Sequence, residues 1–163
     1  MISANSYYDR YTNLVNHTTI ENALKEGFEN IEQYFINLPK EKWGYRYAPE
    51  KWSIKEVVQH LIDCERIFAF RALCMARGES QSLPAFDENQ YAHNSMADYR
   101  TPQEIIAEYK TVRQATQSLF SSFSEGQLQK TGVANNSLFS VGQQGYIIAG
   151  HELHHLSVLQ ERY

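Results

Sequence analysis

Two histidines four residues apart near the end of the chain, His151 and His155, are the first residues whose type and spacing can do chemistry. On an α-helix this separation puts both imidazoles on one face, with Cβ atoms ~6 Å apart, so that a ring nitrogen of each can reach one ion. Both fall on an apolar stripe with Ile148 and Val158, where an unpaired imidazole would leave a buried polar nitrogen. A third ligand must come from another helix. His60, two residues after Val58 and one before Leu61, stands at the edge of the broadest apolar face in the chain. Three imidazoles on one divalent ion leave coordination positions open for water or substrate, as catalytic sites do. Taken alone, His60 reads as a partly buried histidine bonded to a carboxylate. His154, three residues after His151, can replace His155 as its partner, while His17 and His93 lie outside the helical segments and read as solvated.

Several other side chains are candidates around such an ion. Glu152 completes an H-E-x-x-H pattern with His151 and His155, in which zinc peptidases use the glutamate as general base. Only Leu156 to Tyr163 follow, which leaves no downstream ligand, and a solvated or helix-pairing carboxylate is the simpler reading of Glu152. Asp63, close to one turn after His60, can accept that ring's second N–H or join a surface ion pair. Asp87 and Tyr91 can line a pocket mouth, and Arg113 can anchor an anionic substrate; each has a structural alternative. A His-only donor set suits zinc, nickel, copper and iron alike.

These residues need elements to hold them. Four segments carry an apolar repeat of 3.6 residues, and none shows the sustained alternation of a half-buried strand, so the fold class is all-α. The first runs from about Thr19 to Leu38, ended by Pro39, with residues before it free to form an extra turn or arm. The second opens on Trp52-Ser53-Ile54-Lys55-Glu56-Val57. There Ser53 and Glu56 make a capping box and Trp52 can pack on Val57, and the helix continues to Arg77 with Gly78 as its stop. The third opens at Thr101-Pro102-Gln103-Glu104 and carries Ile105, Tyr109, Val112, Thr116 and Phe123 inward, with Ser124 and Gln127 starting one more short turn. The fourth starts near Ser140 and runs to the end of the chain. The connections, about 39–52, 78–100 and 130–139, exceed those of simple helical hairpins, and the middle one has the length of a covering or binding segment.

The totals narrow the function. The 163 residues are one domain by length, with 42% hydrophobic and 21% charged residues, which is a globular composition. A net charge of -4 without a Lys/Arg cluster argues against nucleic acid as partner. No apolar run is long enough for a bilayer and the first residues carry no export signal, which together lead to the expectation of a cytoplasmic protein without a membrane partner. Cys64 and Cys74 stand ten residues apart on one helix, ~15 Å of rise, too far for a disulfide, and are expected as buried free thiols.

The segment Trp52-Ser-Ile-Lys-Glu-Val-Val-Gln-His60-Leu-Ile-Asp63-Cys-Glu65, then Phe86-Asp87-Glu88-Asn89, Arg113, and Gly150-His151-Glu152-Leu-His154-His155 together resemble the DinB/YfiT-like family of metalloenzymes over nearly the whole chain. That resemblance implies a four-helix bundle of unusual connectivity, a nickel or zinc ion on His60, His151 and His155, and frequent homodimers. It also implies relatives that act as thiol-dependent transferases or isomerases with bacillithiol, mycothiol or glutathione. The expected activity is an attack by metal-activated water or a low-molecular-weight thiol on a small electrophile held under the 83–91 segment, by a hydrolase or S-transferase. The rival from another class is a non-catalytic metal- or ligand-binding bundle.

Overall fold

The computed structural model describes residues 6–163. Short turns at Ser6–Tyr8 and α1 (Asp9–Thr12) precede α2 (Ile20–Asn37), and α3 (Ile54–Arg77) follows a single-turn segment, Lys40–Gly44. Next come α4 (Glu88–Asn94), a turn at Ala97–Tyr99, α5 (Pro102–Ser121) and α6 (Glu125–Leu128). A hairpin of β1 (Thr131–Ala134) and β2 (Ser137–Ser140) then leads into α7 (Val141–Arg162). Among the described residues, α2, α3, α5 and α7 are the long helices, and they coincide with the four periodic segments of the sequence.

Local chemistry sets where these helices begin. Ser53 Oγ accepts from the Glu56 N–H at 3.2 Å while Glu56 returns a carboxylate to the Ser53 N–H at 2.8 Å. Thr101 with Glu104, Ser124 with Gln127 and Ser140 with Gln143 form the same reciprocal box. Gly78 ends α3 in the left-handed region, φ 89°, which a side chain would disfavour.

The helices are ordered around the bundle as α2, α7, α3, α5, so that each touches the two beside it and the consecutive pairs α2/α3 and α5/α7 lie on diagonals. Contacts fix the directions. Arg66 meets Glu108, Glu65 meets Arg113 and Arg77 lies over Phe123, so α3 and α5 run parallel. Histidine 60 meets His151 while Lys130, just before the hairpin, reaches back to Ala76, so α3 and α7 run antiparallel. A parallel neighbour requires the chain to return along the full helix, which is why residues 78–101 are long; diagonal crossings account for the other two long connections.

Among the described residues, the 130–139 connection departs from the expected all-helical content by forming a hairpin. Its four-residue strands pair antiparallel, Thr131 with Ser140 through Ala134 with Ser137. Both turn residues, Asn135 and Asn136, have positive φ (48° and 57°), the geometry that suits a tight hairpin. Strands this short bury too few positions for an alternating pattern to register. Ala134 also bridges to Leu83, which ties the 78–87 segment to the hairpin.

The core forms two clusters, one around Ile31, Phe35, Trp43, Ile54, Ile62, Ile105 and Leu159, the other around Leu24, Phe68, Ala72, Met75, Phe139 and Ile147. The arm before α2 is part of the second. There α1 docks on α7 where Gly150 leaves room: a Cβ at this position would stand 2.0 Å from the Tyr11 carbonyl oxygen and 2.5 Å from its carbon. Backbone cannot yield as a side-chain tip does, so Gly150→Ala is expected to push α1 off α7 and to lower stability by about 1–3 kcal/mol in urea denaturation. A change below 0.5 kcal/mol would show that the arm is not held there.

Candidate metal centre

The capping box at Ser53 fixes the register of α3 so that His60 points between α3 and α7. The face it shares with His60 continues through Cys64, Phe68 and Arg71, at steps of four, four and three residues. On α7, His151 and His155 meet it. His60 Nε2 and His151 Nε2 are 3.1 Å apart, as are His155 Nε2 and His151 Nε2, and the His60 and His155 rings stand 5.0 Å apart between centroids. Nitrogens held by one tetrahedral ion at about 2.0–2.1 Å are separated by about 3.3 Å, so the observed spacing is close to what such an ion requires.

Aromatic rings wall the cluster. Trp52 lies 4.7 Å from His60, Tyr11 5.1 Å from His151, and Phe68 6.2 Å from His151. Trp52, expected on Val57, packs one turn further along, against the imidazole. Burial pushes His60 down to about 4, and burial followed by the neighbouring imidazoles holds His151 and His155 well below the ordinary histidine range. All three rings are neutral at pH 7 and offer lone pairs. Although the His155 side chain is only partly buried overall, its Nδ1 is shut off from solvent and has no hydrogen-bond partner. A ring that leaves one nitrogen unsatisfied inside the protein must gain through the other, and Nε2 is the atom aimed at its two partners.

Cys64, expected as a buried free thiol of the core, adds a donor. Its Sγ lies 3.5 Å from His60 Nδ1 and 3.7 Å from His60 Nε2, and donor atoms of His60, Cys64 and His151 all fall within 4.8 Å of one another. Burial pushes its thiol up from the usual range. Cys74, expected to be buried, is half-exposed, and both cysteines are free. His154 sits beside the trio, its ring 5.2 Å from that of His155 and 5.5 Å from Tyr11. His17 and His93 are exposed.

The remaining candidates lie elsewhere. Glu152 is fully buried and accepts from the Tyr109 hydroxyl and, at 2.9 Å, from Arg113. Arg113, expected to anchor an anionic substrate, is 1% exposed and gives two hydrogen bonds to Glu65, at 2.9 and 2.8 Å, and one to the Leu24 carbonyl at 2.7 Å. No donor direction of that fork faces solvent, because α2, α3 and α7 close over it. A general-base role for Glu152 on the H-E-x-x-H pattern conflicts with this geometry, since its carboxylate is committed to Arg113 and Tyr109. Asp63 accepts from Gln59 at 3.1 Å and faces Arg66, and it makes no hydrogen bond with the His60 ring. Asp87 caps α4 by accepting from the Asn89 and Gln90 N–H groups at 3.0 Å, and the exposed Tyr91 packs on Phe86.

A cavity of about 280 Å³ opens beside the imidazoles, lined by Tyr8, Tyr11, Cys64, Phe68, Arg71, Phe86 and His151 among others. Phe86 and Glu88, rather than Asp87 and Tyr91, are the residues of the 83–91 segment that reach it. Arg71 occupies the place that the sequence reading gave to Arg113. The spacing 60, 64, 68, 71 on one helical face was the signal that marks it.

A four-helix bundle with diagonal consecutive helices and imidazoles gathered between α3 and α7 defines the class. Residues 23–159 match the DinB superfamily, and the chain belongs to it. It is 28% identical over 148 residues to OB0413 of Oceanobacillus iheyensis, covering 85% of this chain and 84% of that one. With OB0782 of the same organism it is 24% identical over 148 residues, 90% and 84% of the two chains. Both relatives are provisionally named metal-dependent hydrolases. Among solved structures it is similar to YfiT from Bacillus subtilis, described as an unusual four-helix bundle and provisionally as a metal-dependent hydrolase. That match has a TM-score of 0.77 at 15% identity over 87% of this chain and 82% of that one. The fold also resembles the mycothiol-dependent maleylpyruvate isomerase, with a TM-score of 0.68 at 10% identity, covering 86% of this chain and 62% of that longer one. None of the helices described is long and apolar enough to cross a membrane.

Proposed function

We propose that this protein is a metal-dependent enzyme in which His60, His151 and His155 hold a divalent nickel or zinc ion, and that it acts on a small electrophile as a hydrolase or a thiol-dependent S-transferase. The observation that carries this reading is the meeting of three neutral imidazoles from α3 and α7, with His151 Nε2 3.1 Å from the Nε2 of each of the other two, beside a cavity. The provisional names of the Oceanobacillus relatives support hydrolysis, and the isomerase of like fold supports a thiol cosubstrate.

When bound, the ion supplies Lewis acidity, which lowers the pKa of water to roughly 7 or favours the thiolate form of a thiol. The protein's own residues do the rest. Neutral imidazoles leave the positive charge undiminished, and Trp52, Tyr11 and Phe68 keep bulk water from the cluster, which strengthens electrostatic interactions there. Phe86 and Glu88 cover the cavity from the 83–91 segment, held by the Asp87 cap and the bridge of Leu83 to Ala134. Glu152 positions His151 through its anchored place on α7.

Elemental analysis of protein purified without an affinity tag should find one nickel or zinc ion per chain. An activated ester, and an aryl halide with glutathione, bacillithiol or mycothiol, should then show at least one reaction ~100-fold faster in metal-loaded than in metal-free protein. Failure to bind either ion stoichiometrically would remove the proposal, and tight metal binding without any turnover would leave the non-catalytic binding protein in its place.

A further inference from the structure

Arg71 is 2% exposed, yet among the described residues no carboxylate lies within ion-pair distance of it, and residues 1–5 contain no acidic side chain. The contrast with Arg113, equally buried and held between two glutamates, is within one bundle. A guanidinium taken out of water without a counter-charge is costly, and it persists where function keeps it. What surrounds Arg71 steadies it without neutralising it. Its Nη2 donates to the Pro84 carbonyl at 2.7 Å, Tyr8 lies beside it from the N-terminal turn, and its head lies 5.6 and 5.8 Å from the ring centres of Phe68 and Phe86. Among the described residues its five N–H groups have the Pro84 carbonyl as acceptor and the Tyr8 hydroxyl nearby, so donors remain for the cavity it lines.

Asn135, carried at the hairpin turn, lines the same cavity, so one turn residue with positive φ and the segment bridged to it, with Pro84 and Phe86, build this end together. Glu88, the acidic residue of the lining, is exposed and makes no ion pair with Arg71. His151 and Cys64 line the cavity as well. Seven residues of α3 separate Cys64 from Arg71, about 10 Å of helical rise, which sets the span from the imidazole cluster to the arginine.

We infer that this cavity binds a small organic anion, its carboxylate or phosphate group paired with Arg71 and its apolar body lying between the tyrosine and phenylalanine rings with its far end toward His151. This rests on the functional reading above and gives its substrate a chemical class: an electrophile with an anionic group about 10 Å or less from the reacting atom. Tyr8 and Asn135 supply further polar contacts at the anionic end. The aromatic lining favours a flat body over a branched one.

The test titrates benzoate, phenyl phosphate and the uncharged isostere benzamide into metal-free and metal-loaded protein. The readouts are calorimetry and the Nε–H resonance of Arg71 in nitrogen-15-edited NMR. At least one anion should bind tenfold or more tightly than benzamide and shift the Arg71 resonance. Arg71→Gln should lose at least tenfold in that affinity, with Arg71→Lys between the two. The anion that binds better identifies which group the site takes. Equal binding of benzoate, phenyl phosphate and benzamide, binding that leaves the Arg71 resonance in place, or no binding by either anion would overturn the inference. The resonance is read on the unsubstituted chain, so the outcome holds even if Arg71→Gln does not fold. Anion binding in the metal-free protein is independent of whether an ion binds the histidines, so failure of one reading is distinguishable from failure of the other.

Discussion

Arg113→Leu is expected to destabilise the fold by about 3–5 kcal/mol at neutral pH, the cost of leaving buried charge without its partner. Among the described residues Arg113 is the sole cation paired with Glu65 and Glu152, and both carboxylates are nearly inaccessible. Burial works against its charge, but Glu152 and Glu65 hold its guanidinium well above the usual range. Burial raises Glu152, opposed by the same arginine, and raises Tyr109 further, with the Glu152 carboxylate adding to it, so the phenol keeps its proton and donates it. Without Arg113 two carboxylates share one dry space and can relieve their repulsion only by taking up a proton. A folded-state pKa raised in this way adds stability below the unfolded value and withdraws it as pH rises, so the deficit of Arg113→Leu should shrink as pH falls from 7 toward 5. Urea denaturation at pH 5, 6 and 7 measures it. A loss under 1 kcal/mol at pH 7, or one that does not vary with pH, would show that water enters to solvate the pair.

The same network explains why a cluster committed to structure sits one residue from a candidate ligand. Glu152 and His151 project from α7 about 100° apart, one into the Arg113 network and the other toward His60. Anchoring the first to α5 through Tyr109 and to α3 through the Arg113–Glu65 pair sets the rotation of α7 that aims the second. Gly27 on α2 makes room for this: a Cβ there would stand 2.4 Å from a Glu152 carboxylate oxygen.

What the sequence reveals here is what is decided over a few neighbouring residues. The four capping boxes, the Gly78 stop and the apolar stripes are local, and they place His60, His151 and His155 on inward faces before any tertiary contact is known. The spacing of the imidazoles in space then follows from two helices packing antiparallel. By contrast, Arg71 and Arg113 look alike as residues, each an arginine on an amphipathic helix. Their difference lies in what the neighbouring helices bring: two glutamates to one, and a cavity with aromatic rings to the other. Asp63 and Glu152 likewise stand at plausible offsets from the histidines, and only the positions of Gln59 and Arg113 settle what they bond. The hairpin escapes a periodicity argument because each strand has four residues, although the Asn135-Asn136 pair carries the turn. Helix order was not legible because loop length tells that a connection is long, not which diagonal it crosses.

Metal-free protein is expected to lose stability as pH falls below about 6.5, where an unfolded chain begins to protonate histidines that the folded chain keeps neutral. The three imidazoles of the cluster all have depressed folded values, His60 at about 4 and the others well below the ordinary range, so the unfolded state binds more protons through this window. Stability is therefore complete above the unfolded pKa and declines on acidification, by about 1.4 kcal/mol per pH unit for each imidazole until its own folded pKa is reached. The groups that face the cluster are the Cys64 thiol, which burial keeps protonated, Arg10 and His154, whose charge would only add to the repulsion, and the aromatic rings, which carry none. Glu152 and Asp63 act in the opposite direction, because burial raises both and the folded state takes up their protons first. Their effect is shared by the unsubstituted protein and His155→Leu, so the difference between the two isolates the imidazole. Denaturation curves from pH 6.5 to 5 should show stability falling on acidification in metal-free protein, with a slope about one proton steeper than in His155→Leu. A stability that stays level from pH 7 to 5 would mean that water reaches the rings and that Nε2 of each is already solvated. With the ion bound, protons must displace it to charge the same nitrogens, so metal release followed by dialysis and elemental analysis should begin in this interval and steepen with each pH step.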